Sequence, residues 1–425
     1  MMEVFIMNKA KLIGSTCVVA GTAIGAGVLV LPIVCAKIGI LFGLFLMGAT
    51  WLVAYFTALV ALELNLQSGR GSTLGQLGLK YSGRLAQILG DGSVQLLCYL
   101  LVIAYICGIA DVMVGLFKEW GIVVDGSIMK HFATAGFLAL LLLGVGSSEK
   151  WNRLMFAGIC VILIAAIGSL LWISMGHQQS CGSVMLTGGL TDGSLLPVLF
   201  TSFGFQVIFH TLTDYCEKDK VVLKKAFLYG SLIPFFFYCF WTFGSLYVVA
   251  RLDNTMYQKM VSGQVAFPEL MSLLAAMLEQ SKTWVGQALG ATFKGGTIFL
   301  ILSFLAIFTS IVGVSLGLAT SWRSYFDRAK MSEKKRWVIS VVATLLPAWL
   351  IAISSPGIFM SILAYAGCIL TNIAIFLPLY LLVQQQKKEP NRPYYTIVNS
   401  RLLRGLSVAW GALVVFGELS SIFGG

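Results

Sequence analysis

The chain has 425 residues, 58% of them hydrophobic and only 11% charged, with a formal net charge of +11. Soluble domains carry about 25% charged residues, so this chain has too few to coat a water-soluble body of its size, and lipid must be its outer solvent. The positive charge does not mark a nucleic-acid surface, because the Lys and Arg residues lie between apolar runs rather than on one face.

A spanning helix needs about 20 mostly apolar residues, and eleven runs qualify. The first, 12–36, follows a short tail (1–11) carrying Lys9 and Lys11; it is too long for a signal-peptide core and reads as a retained helix. It contains Gly21-Thr22-Ala23-Ile24-Gly25-Ala26-Gly27, followed by Pro32. Each Gly weakens a helix by about 1 kcal/mol relative to Ala, although Gly21-x-x-x-Gly25 is also a packing motif of ordinary helix pairs. Runs 40–66, 88–117, 132–148 and 152–175 complete a first group of five, 12–175. The sixth run, 194–216, carries Thr201-Ser202-Phe203-Gly204-Phe205-Gln206 at mid-membrane depth. Run 222–250 leads into a long loop, 251–292. There Pro268 suits a helix start, and Leu270, Leu273, Leu274, Met277 and Leu278 form one apolar face. This short helix is expected at the outer mouth, either on lipid headgroups or as a lid. Runs 293–322, 337–354 and 357–383 close a second group of five, 194–383, and 402–423 is an extra helix.

With the N-terminus in the cytoplasm, 22 of the 29 Lys and Arg residues fall in inside segments. The other seven are Lys37, Lys118, Lys130, Arg251, Lys259, Lys282 and Lys294. The asymmetry follows the positive-inside rule, explains the net charge as a topology signal, and puts the C-terminus outside. It also gives the first and sixth runs opposite directions, since they are five helices apart. Unwound backbone is tolerated at membrane depth only where it lines a cavity or faces protein. There one half-helix points N–H groups at an anion and the other offers carbonyls to a cation, a fit for a zwitterionic amino acid. Paired breaks in two inverted halves point to a transporter site.

These residues carry a family resemblance. Gly21-Thr22-Ala23-Ile24-Gly25-Ala26-Gly27-Val28-Leu29-Val30-Leu31-Pro32 resembles the first-helix signature of the bacterial hydroxy/aromatic amino acid permeases, the tyrosine- and tryptophan-specific transporters of the amino acid–polyamine–organocation superfamily. Thr201 to Phe205 resembles their sixth-helix signature, and Ala306-Ile307-Phe308-Thr309-Ser310 with Gly313 to Leu318 their eighth. The likeness covers nearly the whole chain and includes Ala104-Tyr105-Ile106-Cys107-Gly108. It implies an all-α integral membrane protein of LeuT type: a five-plus-five inverted repeat with discontinuous first and sixth helices, and an eleventh helix. It also implies import of an aromatic amino acid, tyrosine before tryptophan, by proton symport across the bacterial inner membrane. The family often continues the sixth-helix motif with His-Gly; this chain has Gln206-Val207, which leaves substrate and coupling ion open.

By the family's geometry, the substrate carboxylate meets the N–H groups of Ala26 and Gly27, and the ammonium meets carbonyls near Thr22, Ala23 and Phe203. Phe203, Phe205, Tyr105 and Phe304 are candidate walls for the aromatic ring. Gly25, Thr201, Ser202, Gly204 and Gln206 complete the substrate-binding set. Thr309 and Ser310 either bond their own helix or complete a sodium site with carbonyls of Gly21 and Ile24. His210, in the inner half of the sixth run, is the candidate proton relay, because Glu63, Asp111, Asp214, Glu217 and Glu418 all lie near an interface.

Other classes find little support. Nine Cys form no C-x-x-C pair, Cys181 is the one in an outside loop, and there is no metal motif. Gly313-x-Ser315-x-Gly317 matches the serine-hydrolase pattern but lies inside a spanning helix, not on a strand–helix elbow. No filter repeat or charged ring suggests a channel. The expectation is a transporter with no catalytic residue, no cofactor beyond a coupling ion (H+, with Na+ the alternative), and no partner but substrate and lipid. Another neutral amino acid is the alternative substrate.

Overall fold

In membrane interiors each backbone N–H and C=O must be paired within the segment, so long apolar runs become helices. The computed structural model describes residues 2–25, 27–69, 71–143, 149–176, 193, 195–280, 297–326, 331–355, 357–390 and 392–423; the side chains of 2–8, 149–156, 173–176, 278–280, 297–298 and 324 are outside the description. Among the described residues every regular element is helical. The elements are α1 (Met2–Ala23), α2 (Gly27–Ile38), α3 (Ile40–Ser68), α4 (Leu74–Tyr81), α5 (Arg84–Glu119), α6 (Gly126–Leu142), α7 (Glu149–Gly176), α8 (Leu195–Ser202), α9 (Phe209–Tyr215), α10 (Lys220–Leu252), α11 (Asn254–Val261), α12 (Phe267–Gln280), α13 (Thr297–Tyr325), α14 (Glu333–Ser354), α15 (Phe359–Thr371), α16 (Leu377–Lys388) and α17 (Arg401–Phe423).

Each of the eleven runs overlaps a helix or a joined pair; 144–148, 194 and 293–296 of these runs lie outside the described residues. Among the described residues eight helical spans are long and apolar enough to cross a membrane, and α1 with α2, bent by 54°, makes a ninth when the pair is counted as one. The other two, α6 and the Ala157–Trp172 part of α7, are shorter. The expected run 132–148 is displaced: the helix starts at Gly126, where the Asp125 carboxylate accepts from Ser127 N–H at 2.6 Å. Its polar first turns hid that start. Lys130 there is buried and donates to the carbonyls of Ala352 and Ser355 at the end of α14, where a cation complements the helix dipole. Elsewhere the caps are ordinary ones: Asp219 accepts from Val221 and Val222 at the start of α10, and Ser332 caps α14. A π-helical turn, Asn372–Phe376, joins α15 to α16.

Two short helices lie between the runs. A Thr73–Gln76 capping box starts α4, and α11 precedes the expected loop helix. That loop helix, α12, does begin with Pro268 in its first turn, and its apolar face is packed on protein. Phe267, Leu270, Met271, Leu274 and Met277 are all buried, Phe267 packs on Phe359 at a centroid distance of 5.1 Å, and Pro268 approaches Gly115 of α5. So α12 is wedged between α5, α13 and α15.

At the basic end, the segment between α16 and α17 is tied down. The buried Glu63 carboxylate accepts from the N–H groups of Tyr394 (3.0 Å) and Tyr395 (2.9 Å) and from Gln67. Tyr395 then donates to the Lys220 carbonyl at the start of α10. Burial, and next the Glu63 charge beside it, push the Tyr395 phenol above its usual range, so it serves as a hydrogen-bond donor.

Candidate substrate site

Both glycine-rich segments are broken. Helix α1 stops at Ala23, and α2 starts at Gly27 after a bend at Ile24 and Gly25; Ala26 lies outside the described residues. Helix α8 stops at Ser202, Phe203 and Gly204 form a turn, and Phe205–Ile208 is a 3-10 turn leading into α9. Gly204 has φ −74°, a value open to any residue, so this break does not depend on glycine's left-handed freedom.

The two breaks meet. The Tyr238 hydroxyl on α10 donates to the carbonyl of Ala23 at 2.6 Å and is 3.1 Å from that of Ser202. It thereby meets the terminal carbonyls of α1 and α8 together. Tyr238 is fully buried, and its ring meets Phe203 edge-on at 5.4 Å. A buried phenol in an apolar helix needs a hydrogen-bond partner; that need was the signal in the sequence, and the run of Phe around it (Phe235, Phe236, Phe237) masked it.

The glycines permit close approach. A Cβ on Gly27 would collide with the Ser202 Oγ and stand 3.0 Å from the Ser202 Cα. A Cβ on Gly25 would stand 2.8 Å from the Ser310 Oγ and 4.0 Å from the Tyr105 hydroxyl. Gly25, Tyr105 and Ser310 therefore form one cluster, and Gly27 and Ser202 another.

The remaining candidates divide. Thr22 donates to Val18, and Thr309 and Ser310 both donate to Ala306 at 3.1 and 2.9 Å, so the protons of these hydroxyls go to their own helices. Thr201 bonds Pro197 and also the Leu363 carbonyl of α15 at 2.8 Å, and Ser202 bonds Val198. Phe205 is buried against Phe227 of α10, 6.2 Å between centroids, and Phe304 stacks on Phe308. Gln206 turns toward α3: its amide nitrogen is 3.5 Å from the Ala54 carbonyl, and its buried Oε1 has no protein partner among the described residues. Gly21 is half-buried and Ile24 buried. His210 is half-buried on α9 beside Asp214, whose carboxylate accepts from the Gly71 N–H at 2.7 Å. Below the breaks, Lys11 pairs with Glu217 at 2.7 Å and Ser15 contacts the Cys216 Sγ at 3.0 Å, so α1 is joined to the end of α9. No group of three metal-binding side chains occurs among the described residues.

The sequence model of the tryptophan/tyrosine permease family matches residues 8–416. The chain belongs to that family. Its members are permeases rather than enzymes, which makes this chain a membrane protein with an amino acid as its class of substrate. A glutamine transporter 2 of Aliivibrio fischeri is 26% identical over 96% of this chain and 99% of its own length. Tyrosine-specific transport system 1 of Haemophilus influenzae is 28% identical over 91% of both chains. The low affinity tryptophan permease of Escherichia coli K12 is 25% identical over 96% of this chain and 94% of its own. Membership of a permease family accounts for an apolar surface that needs lipid around it.

Proposed function

We propose that the chain imports an aromatic amino acid, tyrosine first and tryptophan next, across a bacterial inner membrane by proton symport and alternating access. The single observation that carries this reading is the Tyr238 hydroxyl shared by the ends of α1 and α8. It supports a single site formed by both breaks, with α2 and α9 supplying N–H groups for a carboxylate and the ends of α1 and α8 supplying carbonyls for an ammonium. In this reading Gly25, Gly27, Tyr105, Ser202, Phe203 and Ser310 surround the substrate, residues 12–175 and 194–383 form two inverted five-helix halves of LeuT type, and the N-terminus is cytoplasmic. His210 beside Asp214 is the proton-handling candidate, and the Thr309 hydroxyl bonds Ala306 of its own helix.

A second reading, transport of another neutral amino acid, draws on the glutamine transporter likeness and on Gln206 at the second break. Uptake of labelled tyrosine into proteoliposomes, in competition with tryptophan, phenylalanine, leucine and glutamine, separates the two. Accumulation that collapses with a protonophore and needs no sodium supports the first reading. Sodium-dependent uptake that survives the protonophore, or inhibition by glutamine alone, rejects it.

A further inference from the structure

Three polar groups on α10 have no hydrogen-bond partner among the described residues: the Trp241 indole N–H and the hydroxyls of Thr242 and Ser245. All three side chains are fully buried. They follow Tyr238 at steps of three, four and seven, so they continue its face along the helix. Trp241 closes one side against Phe299 of α13, 5.8 Å between centroids.

Hydroxyls within helices ordinarily donate to the carbonyl one turn back, as Ser202, Thr213, Ser303, Ser340 and Thr344 do here. Thr242 and Ser245 forgo that bond. Inside a membrane, where no bulk water compensates, buried polar groups find partners because leaving them bare is costly. On this one stripe, three such groups are left unmet by the described residues.

We propose that the Trp241–Thr242–Ser245 stripe is a binding pocket for one hydroxyl group. The guest oxygen accepts from the Trp241 N–H and shares its own proton and second lone pair with the two hydroxyls. Water meets this requirement, and so does the phenol of tyrosine. An indole N–H only donates, and a phenyl ring does neither. The pocket starts about one helical turn, roughly 5.4 Å, beyond the residue that ties the breaks. With the phenol as guest, the stripe selects tyrosine over phenylalanine and tryptophan; that arm rests on the transport reading above.

The test compares the wild-type chain with the double variant Thr242→Val/Ser245→Ala, which removes both hydroxyls at nearly constant volume, and with Trp241→Phe. Two measurements are made on purified protein. Thermal unfolding in detergent without substrate reads the pocket independently of function, and competition for tyrosine uptake in proteoliposomes reads selectivity. A bound water predicts a midpoint lowered by several degrees with the substrate ranking intact. A bound phenol predicts an unchanged midpoint without substrate and a loss of about tenfold or more in tyrosine preference over phenylalanine. A midpoint unchanged or raised in the variants, with the ranking also unchanged, overturns the proposal. Wild-type protein that takes up no aromatic amino acid overturns the transport reading instead, and the midpoint still decides the pocket.

Discussion

Replacing Tyr238 by Phe isolates the bond that joins the two breaks. The ring keeps its edge-on contact with Phe203, so the variant inserts and packs as before, but the carbonyls of Ala23 and Ser202 lose their donor. Interhelical hydrogen bonds in membranes are worth about 0.6 kcal/mol on average and up to about 1.7, whereas a buried acceptor left unpaired costs about 1–3 kcal/mol. One proton serves two carbonyls here, so the loss is about 1–3 kcal/mol in all. Because the tie belongs to the state with both breaks assembled, that energy comes off its population relative to states in which they part, roughly 5- to 150-fold. Initial-rate uptake in proteoliposomes falls by a factor in that range, and the thermal midpoint in detergent drops. Tyr229→Phe, on an exposed position of the same helix, leaves both unchanged. A Tyr238→Phe chain with wild-type uptake and midpoint would refute the reasoning.

Gly27→Ala drives a methyl against the Ser202 backbone, whereas Gly25→Ala meets only the movable Ser310 hydroxyl. Overpacking of the first kind costs about 1–3 kcal/mol, so substrate-free thermal stability ranks Gly25→Ala above Gly27→Ala; the reverse order contradicts the packing. Glu63→Gln turns one acceptor of the Tyr394 and Tyr395 N–H groups into a donor, at a cost of about 1–3 kcal/mol. Limited proteolysis between residues 389 and 400 then runs faster than in wild type, and an equal rate would mean the carboxylate does not hold that segment. Burial raises the Cys216 thiol above its ordinary pKa, which keeps it protonated and slow to alkylate at neutral pH. Its modification, followed by peptide mass spectrometry, rises with pH, and Glu217→Gln, which releases Lys11, speeds it at fixed pH. Equal rates in the two proteins count against the α1–α9 junction.

The helices were legible because lipid leaves an apolar run of 20 residues few other structures. The breaks were legible because glycine weakens a helix and unwound backbone at membrane depth is tolerated only where it lines a cavity or faces protein. What escaped was the pairing of surfaces. In lipid, core-facing and lipid-facing positions are both apolar, so hydrophobic periodicity does not tell which side of a helix meets which neighbour. Tyr238 was hidden for that reason, as were the turn of Gln206 toward α3 and the burial of α12. The displaced start of α6 has a more local cause. Lys130 and Ser127 read as loop residues, and only the carbonyls at the end of α14, more than 200 residues away in sequence, make a buried lysine acceptable.

A single hydroxyl common to both breaks also links their ends. If α1 and α8 ended on separate partners, their last carbonyls would be independent of one another. With one shared proton they compete for it: were either end to draw away, the hydroxyl would turn wholly to the other and strengthen that bond. Tyr238 thus makes the two ends a linked pair rather than two separate anchors.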